Sequence, residues 1–194
     1  MIKDLVRKNR SYRRFYGYKT IELSTLKELI DLARLCPSAR NLQGLKYMIF
    51  NNAEENKKIS ENLFWAGYLK DWDGPVDEEK PSAYIIMFRD KSIGAGTVQD
   101  EGIALQTMLL GAVEMGLGGC ILGNVNKVKL KEVLGFDDKY ELACVLALGY
   151  PKEEVVIDEI NEEGNIKYWR DKDEVHHVPK RSLDDLIINN TVEK

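Results

Sequence analysis

Residues 97–115, TVQDEGIALQTMLLGAVEM, form the longest apolar-periodic stretch of the chain. Apolar residues such as Leu105 and Met108 fall on more than one face of an ideal helix, and a helix of this kind is normally buried. We therefore expect a central, buried helix. The glycine-rich residues 116–119 should end it, and a strand should begin at Cys120.

Shorter patterns predict the elements on either side. Four helices are expected here. One ends near residue 10, one lies between a Ser24 N-cap and Pro37, and two cover residues 53–63 and 126–134. Strands are expected at 47–50, 84–88, 120–122 and 142–148, with a hairpin of 155–160 and 165–169 around residues 161–164 and a short helix after Ser182. The elements intermix without the regular alternation of a doubly wound sheet, so the predicted class is α+β. The length of 194 residues suits one domain, 1–194.

Charge and cysteine usage limit the possible functions. The chain has 28 Lys and Arg against 32 Asp and Glu, a net charge of −4, which argues against a general nucleic-acid binder. Cys36, Cys120 and Cys144 are widely separated, as in a protein from a reducing compartment. The sequence has no signal-peptide core and no apolar run near the roughly 20 residues of a membrane span. We predict a cytoplasmic protein with no nucleic-acid and no membrane partner.

Several common catalytic motifs are missing. There is no Gly-x-Gly-x-x-Gly, no Gly-Lys-Ser/Thr phosphate loop and no Gly-x-Ser-x-Gly elbow. The two histidines, His176 and His177, are adjacent, so on an extended segment their side chains point to opposite faces. No cysteine cluster lies near them, and we predict no metal site.

Residues 8–15, KNRSYRRF, place four cations and a serine in eight positions of an otherwise acidic chain. Arg10 and Arg13 can offer planar guanidinium forks to a phosphate, and Ser11 offers a hydroxyl and a backbone N–H. The alternative is a solvated basic end of a short helix, which the helix dipole would favour. In either interpretation, Lys8 and Arg14 are expected to be solvated charges.

A second polar segment, Pro37–Gln43, groups several neutral hydrogen-bonding side chains in a constrained loop. Such side chains suit a ligand with donors and acceptors, for example the pyrimidine edge of a flavin. The alternative is a helix-ending turn. Near the C-terminus, Lys180 and Arg181 could bind an anion or be ordinary surface charge.

Taken in order, these segments resemble the nitroreductase family of FMN-dependent oxidoreductases. The family's Arg-Arg-Ser-x-Arg-x-Phe motif is matched by residues 9–15, with Asn9 in place of the first arginine. Its Pro-Ser-x-x-Asn-x-Gln-Pro-Trp-x-Phe motif is matched by residues 37–47, with Gly44-Leu45 in place of Pro-Trp. The similarity covers nearly the whole chain and implies a mixed, mainly antiparallel sheet flanked by helices.

The resemblance also implies which residues form the cofactor site. The FMN-binding residues it implies are Arg10, Ser11, Arg13, Pro37, Ser38, Asn41, Leu122, Gly123, Lys180 and Arg181. Arg10 would face the phosphate and ribityl chain, and Lys180 and Arg181 would complete the phosphate site. Arg13 would face the N1–C2 carbonyl edge of the flavin and tune its potential. The backbone of Leu122 and Gly123 would face N5 and O4.

By the same resemblance, the protein is a homodimer with FMN at the interface. Pro37, Ser38 and Asn41 would come from the partner subunit, and residues 151–194 would embrace that partner. NADH or NADPH would give a hydride to the flavin, and a small acceptor such as a nitroaromatic or a quinone would take the electrons in a ping-pong cycle. No side chain is required as a nucleophile.

Other interpretations stay open at this stage. The enzyme could be a flavin reductase or another FMN dehydrogenase of the same fold, because such enzymes share the flavin-holding residues. From another class, it could be a flavin-binding carrier or regulator without turnover, or an interaction module without flavin. The aromatic segment Phe64–Trp72 could be a substrate lid or could pack at a dimer interface.

Overall fold

The computed structural model describes residues 1–94 and 97–188, which form two compact units. The first unit contains Met1–Trp65 and Asp73–Lys152, and the second contains Ala66–Trp72 and the chain from Glu153 onward. The boundary at Lys152 lies close to the start predicted for the C-terminal extension. The single domain 1–194 stays a prediction.

The first unit supplies most of the regular structure. Its helices are α1 Ile2–Lys8, α2 Leu23–Arg34, α3 Ala53–Ser60, α4 Val98–Glu114 and α5 Lys127–Leu134, with 3₁₀ turns at Ala39–Asn41 and Asp77–Glu79. Its strands are β1 Leu45–Phe50, β2 Ala83–Asp90, β3 Gly118–Leu122 and β4 Tyr140–Gly149. The second unit contains β5 Val155–Glu159, β6 Trp169–Arg170, β7 His176–Lys180 and α6 Leu183–Leu186.

The four strands of the first unit form an antiparallel sheet in the order β1-β2-β4-β3. In the second unit, β7 lies between β5, which is parallel to it, and β6, which is antiparallel. The predicted α+β class with mainly antiparallel sheets is confirmed. None of the described helices combines the length and apolar character that a bilayer crossing requires.

Helices cover both faces of the four-stranded sheet. Along β2, Ile85 and Met87 pack in the cluster that contains the apolar faces of α2 and α4. Ile86 and Phe88 point the other way, into the cluster that includes Ile59 of α3 and residues of α5. This alternation is what the pleat of a strand dictates. The predicted central helix forms as α4, with eight of its 17 residues buried, although Val98 and Ile103 are exposed.

Several predicted boundaries were correct because a local side chain fixes them. Asn126 caps α5 by accepting a hydrogen bond from the backbone of Lys129, and Gly135 ends that helix with a φ of 65°. Ser182 caps α6 in the same way. The predicted Ser24 cap was wrong: α2 begins at Leu23, so Ser24 already lies inside the first turn.

Two other expectations were also wrong. The strand predicted at residues 47–50 is half-buried rather than buried, because β1 is an edge strand. The predicted hairpin forms its turn, with the Gly164 N–H donating to the Asn161 carbonyl over 2.9 Å, but residues 165–168 do not return as a strand. Instead, β5 pairs with β7, a partner that a local turn signal cannot reveal.

Candidate functional site

The N-terminal cationic segment lies alongside the edge strand β3. Ser11 forms a parallel bridge with Gly119, and the Tyr12 N–H donates to the Gly119 carbonyl over 3.0 Å. Leu122 ends the same strand, and Gly123 follows it. The structure therefore places two parts of the predicted site along one edge of the sheet.

Two glycines at the start of β3 allow its neighbours to pack closely against it. A Cβ atom on Gly119 would lie 2.7 Å from the Ala147 carbonyl oxygen, and one on Gly118 would overlap the Tyr12 ring. Such contacts cannot be relieved by rotating a side chain when the neighbour is backbone. The glycine pair, which we expected to end a helix, thus begins β3: Gly119 fits closely against β4, and Gly118 leaves room for the Tyr12 ring.

The arginines of this segment differ in their partners. The Arg10 guanidinium donates to the Val6 carbonyl at the end of α1 over 2.9 Å, and Arg13 donates to the Ser11 carbonyl over 3.1 Å. Among the described residues, no carboxylate pairs with Arg10. Its positive charge is therefore not neutralised by a neighbouring acid and is available to an anion.

Arg14 is not the solvated charge we predicted. It makes two hydrogen bonds of 2.6 and 2.8 Å to the buried carboxylate of Glu79, and Lys152 adds a third of 2.7 Å. The hydrogen bonds from Arg14 are the largest cause that lowers the pKa of Glu79 to about 2, against the opposing effect of burial. This network joins the N-terminal segment to the residues that follow β4, and so holds it in place.

The second predicted motif is anchored by a buried acid. The Ser38 hydroxyl donates to Oδ2 of Asp100 over 3.0 Å, and the Ala39 N–H donates to Oδ1 over 3.0 Å. Thr97, the N-cap of α4, also donates to Asp100. The backbone hydrogen bond from Ala39 is the largest cause that lowers the pKa of Asp100, so this carboxylate stays ionised.

The loop so anchored has an unusual backbone. Arg40, Asn41 and Gln43 have φ values of 52°, 56° and 53°, although none is a glycine. Non-glycine residues in this region are strained, and they persist where the surrounding structure holds them. Arg40 and Asn41 are both exposed. A cavity of about 280 Å³ lies beside the loop, with Ser38 among its lining residues.

The two motifs lie at opposite edges of the same sheet. The loop of residues 37–43 leads directly into β1, whereas residues 10–13 accompany β3. In the order β1-β2-β4-β3, these strands are three spacings apart, or about 14 Å at about 4.8 Å each. One chain therefore does not bring Asn41 and Ser11 to the same edge.

The remaining predicted residues belong to the second unit. Lys180 ends β7, Arg181 follows it, and both are exposed. Within this unit, the Tyr68 ring lies 4.9 Å from that of Tyr168, and the Arg170 guanidinium lies 4.3 Å from the Trp72 ring. Both interpretations of the aromatic segment, lid and interface packing, stay open.

Two residues that position the site were not predicted from the sequence. Asp100 follows Thr97 by three residues, which resembles a capping box, and this signal could have singled it out. Glu79 sits in the acidic run Asp77–Glu79, where nothing in the sequence separates it from its exposed neighbours.

Comparison with known proteins gives a consistent picture. The sequence model of the nitroreductase family matches residues 6–150. A protein of Archaeoglobus fulgidus, provisionally named NADH dehydrogenase/NAD(P)H nitroreductase, is 29% identical over 149 residues, which is 73% of this chain and 80% of that protein.

Solved structures show the same fold at lower identity. A nitroreductase family protein from Clostridium difficile superposes with a TM-score of 0.67 and 20% identity, over 97% of this chain and 98% of that one. A structure from Exiguobacterium sibiricum, described as a nitroreductase in complex with FMN, has a TM-score of 0.63 and 16% identity, over 79% of this chain and 89% of that one.

Proposed function

Because this chain belongs to the nitroreductase family, we propose that it transfers electrons from NADH or NADPH, through FMN, to a small organic acceptor in a ping-pong cycle. It is an FMN-dependent oxidoreductase that takes its electrons from NAD(P)H. The acceptor we propose is a nitroaromatic, a quinone or a similar compound. The isolated cysteines support a reducing, cytoplasmic compartment for it.

One observation carries the proposal: the bridge between Ser11 and Gly119 runs the cationic segment along the strand that ends at Leu122. The cations there suit the negative charge of the FMN phosphate. Arg10 has no acid neutralising it among the described residues, and Ser11 is exposed. A Cβ built on Gly123 would meet no atom within 4 Å, so its backbone can be approached closely.

Bound FMN supplies the redox chemistry, and the protein supplies binding, orientation and electrostatics. We assign Arg10 and Ser11 to the phosphate and ribityl part of the cofactor. Arg13 would place a cation near the pyrimidine edge, where negative charge develops on reduction. The backbone of Leu122 and Gly123 would contact the ring.

We further propose that the site is completed by a second copy of the chain. Pro37, Ser38 and Asn41 sit at the sheet edge opposite to Ser11, which supports their contact with a cofactor bound beside Ser11 of the partner subunit. The preformed, strained loop supports a binding role for Asn41, because such strain is common where a ligand is held. Lys180 and Arg181 would add charge to the phosphate site.

An absorption spectrum of the purified protein tests the cofactor, and anaerobic addition of NADH or NADPH tests turnover. We expect oxidised-flavin bands that bleach with at least one nucleotide and return when an acceptor is added. A yellow protein that neither nucleotide bleaches would instead support a carrier or regulator. Parallel assays with a nitroaromatic, a quinone and free FMN would separate a nitroreductase from a flavin reductase.

A further inference from the structure

Asn9 stands where the nitroreductase motif has its first arginine, so this chain carries one cation fewer at that point. The residue is only 9% exposed, and it connects α1 to the cationic segment that begins at Arg10. Asparagine usually lies on protein surfaces, and a buried asparagine normally has its amide hydrogen-bonded. The partners of Asn9 therefore indicate what this residue does here.

The side chain of Asn9 is bonded to the central helix. Its Nδ2 donates to Oε1 of Gln106 over 3.3 Å, across 97 positions of sequence. Gln106 lies in α4, and its neighbours Leu105 and Met108 belong to the hydrophobic core. Asn9 is thus held by an element whose own position the core fixes.

The backbone of Asn9 connects the end of α1 to Arg10. The Asn9 N–H donates to the Leu5 carbonyl over 2.8 Å, and the Asn9 carbonyl accepts a 2.5 Å hydrogen bond from Nε of Arg10. Nη2 of Arg10 donates to the Val6 carbonyl over 2.9 Å. Both acceptors of Arg10 lie at the end of α1, so together they fix the orientation of its guanidinium plane.

Arg10 keeps the means to bind an anion in this orientation. A guanidinium has five N–H donors, and its hydrogen bonds to Val6 and Asn9 use two of them. Within the described ranges, no carboxylate pairs with Arg10. A guanidinium that is already oriented loses less conformational freedom when it binds a phosphate. Its affinity for a phosphate therefore depends on the groups that orient it.

We propose that Asn9 is a positioning residue for the FMN phosphate, because its bond to Gln106 holds the carbonyl and the helix end that orient Arg10. Asn9 acts through Arg10 and need not touch the cofactor. The inference rests on the proposed function, which assigns Arg10 to the phosphate. Its consequence is specific: loss of the Asn9 amide should weaken a flavin that carries a phosphate and spare one that does not.

Equilibrium dialysis of the full-length protein against FMN and against riboflavin, which lacks the phosphate, tests this. We expect Asn9→Ala to weaken FMN binding about fivefold, the effect of one neutral hydrogen bond, and to leave riboflavin affinity unchanged. Gln106→Leu removes the acceptor but keeps Asn9, and it should give the same pattern. Gln99→Leu, at an exposed position of the same helix, should change neither affinity.

A double variant tests whether Asn9 acts through Arg10. In the Arg10→Ala protein, the further change Asn9→Ala should have no effect on FMN affinity, because residues that act through one another are not additive. If the fivefold loss instead appears in full on top of Arg10→Ala, the inference is overturned.

Two other results would overturn it: equal losses for FMN and riboflavin, which show a general structural role, or unchanged FMN affinity in Asn9→Ala. If Asn9→Ala does not fold, Gln106→Leu carries the same test with the same criteria. Arg10→Ala separates this inference from the proposed function. If wild type binds FMN no more tightly than riboflavin, the phosphate role of Arg10 fails as well. If Arg10→Ala abolishes that preference and Asn9→Ala retains it in full, only the role of Asn9 fails.

Discussion

The Ser38 hydroxyl donates a 3.0 Å hydrogen bond to Oδ2 of Asp100, across 62 positions of sequence. This bond ties the loop before β1 to the first turn of α4, the most buried helix of the fold. The carboxylate also accepts from the Ala39 N–H, so one buried acid holds both the side chain and the backbone of the loop. The position of Asn41 therefore depends on a residue that need not touch the cofactor.

We predict that Asp100→Asn weakens FMN binding without unfolding the protein. An amide nitrogen cannot accept the Ser38 hydrogen bond, so the strained loop loses one of its supports. We expect a loss of about 1–3 kcal/mol in unfolding free energy and roughly tenfold in FMN affinity. Denaturant titration and equilibrium dialysis measure the two. Asp138→Asn, at an exposed position of the same unit, serves as the control. Wild-type FMN affinity in Asp100→Asn would contradict the positioning role.

Arg13→Ala should lower the reduction potential of bound FMN. If Arg13 lies at the pyrimidine edge, its removal takes away a cation that stabilises the reduced flavin. We expect a decrease of about 30 mV, equivalent to about 1.4 kcal/mol for two electrons, and slower reduction by the nucleotide. Spectroelectrochemistry and stopped-flow absorbance measure these. Arg7→Ala, on the exposed last turn of α1, is the matched control. A folded, FMN-loaded Arg13→Ala protein with unchanged potential and rate would remove Arg13 from this role.

The elements that sequence analysis predicted well are those whose cause is local. The apolar periodicity of residues 97–115 predicted α4, because the spacing of apolar residues determines which faces of a helix can be buried. Side-chain caps such as Asn126 fixed helix starts. The parallel pairing of β5 with β7 was missed, because the turn near Asn161 does form but leads to no local partner.

For the candidate site, too, local signals were predicted and long-range ones were missed. The types of residue that suit a flavin were visible in residues 10–13 and 37–43. The acids that position them, Asp100 and Glu79, act across long sequence separations, and sequence analysis treated neither as special. Arg14 was misjudged for this reason, since its partner Glu79 is 65 residues away.

The Glu79 network should make stability depend on acid pH. The pKa of Glu79 is lowered from 4.5 to about 2 in the folded protein, chiefly by hydrogen bonds from Arg14. The contribution of Glu79 to folding stability is therefore complete above about pH 4.5 and is lost as the pH falls towards 2. The shift corresponds to about 3 kcal/mol. We expect Glu79→Gln to be less stable than wild type by about this amount at neutral pH.

The difference in unfolding free energy between wild type and Glu79→Gln should shrink as the pH falls below 4.5. Urea denaturation at about pH 7, 4 and 3 measures it. Glu132→Gln, which removes an exposed acid from α5, controls for general loss of negative charge. A difference that stays constant across this range would show that the carboxylate of Glu79 is not the titrating group.

His177 should give the second unit the opposite pH dependence. Its Nδ1 lies 2.8 Å from Asp158 and its Nε2 lies 3.4 Å from Asp171. Burial lowers the pKa of His177, but the two carboxylates outweigh it, and the pKa is raised above 6.5. Stabilisation by the imidazolium is complete below pH 6.5 and is lost as the pH rises through the folded pKa.

Proton NMR of the two histidines measures the His177 titration directly, and His177→Gln assigns its signal. We expect a midpoint above 6.5 in wild type that returns towards 6.5 in Asp158→Asn. Asp173→Asn, at an exposed position nearby, should leave the midpoint in place. A wild-type midpoint at or below 6.5 would contradict the stabilisation of the His177 imidazolium by Asp158 and Asp171.

A mixed dimer can show whether Asn41 serves a cofactor bound beside Arg10 of the other chain. Arg10→Ala and Asn41→Ala should each weaken FMN binding, by about tenfold or more for the arginine, which makes charge-assisted bonds. If the two residues meet across the interface, a dimer of one Arg10→Ala chain and one Asn41→Ala chain contains one intact site and one site with both changes. Differently tagged chains, co-expressed and purified through both tags, should then bind about one FMN per dimer with wild-type affinity.

If the residues act within one chain, every site in the mixed dimer carries one change and no wild-type site appears. The separation of about 14 Å between β1 and β3 favours the first result.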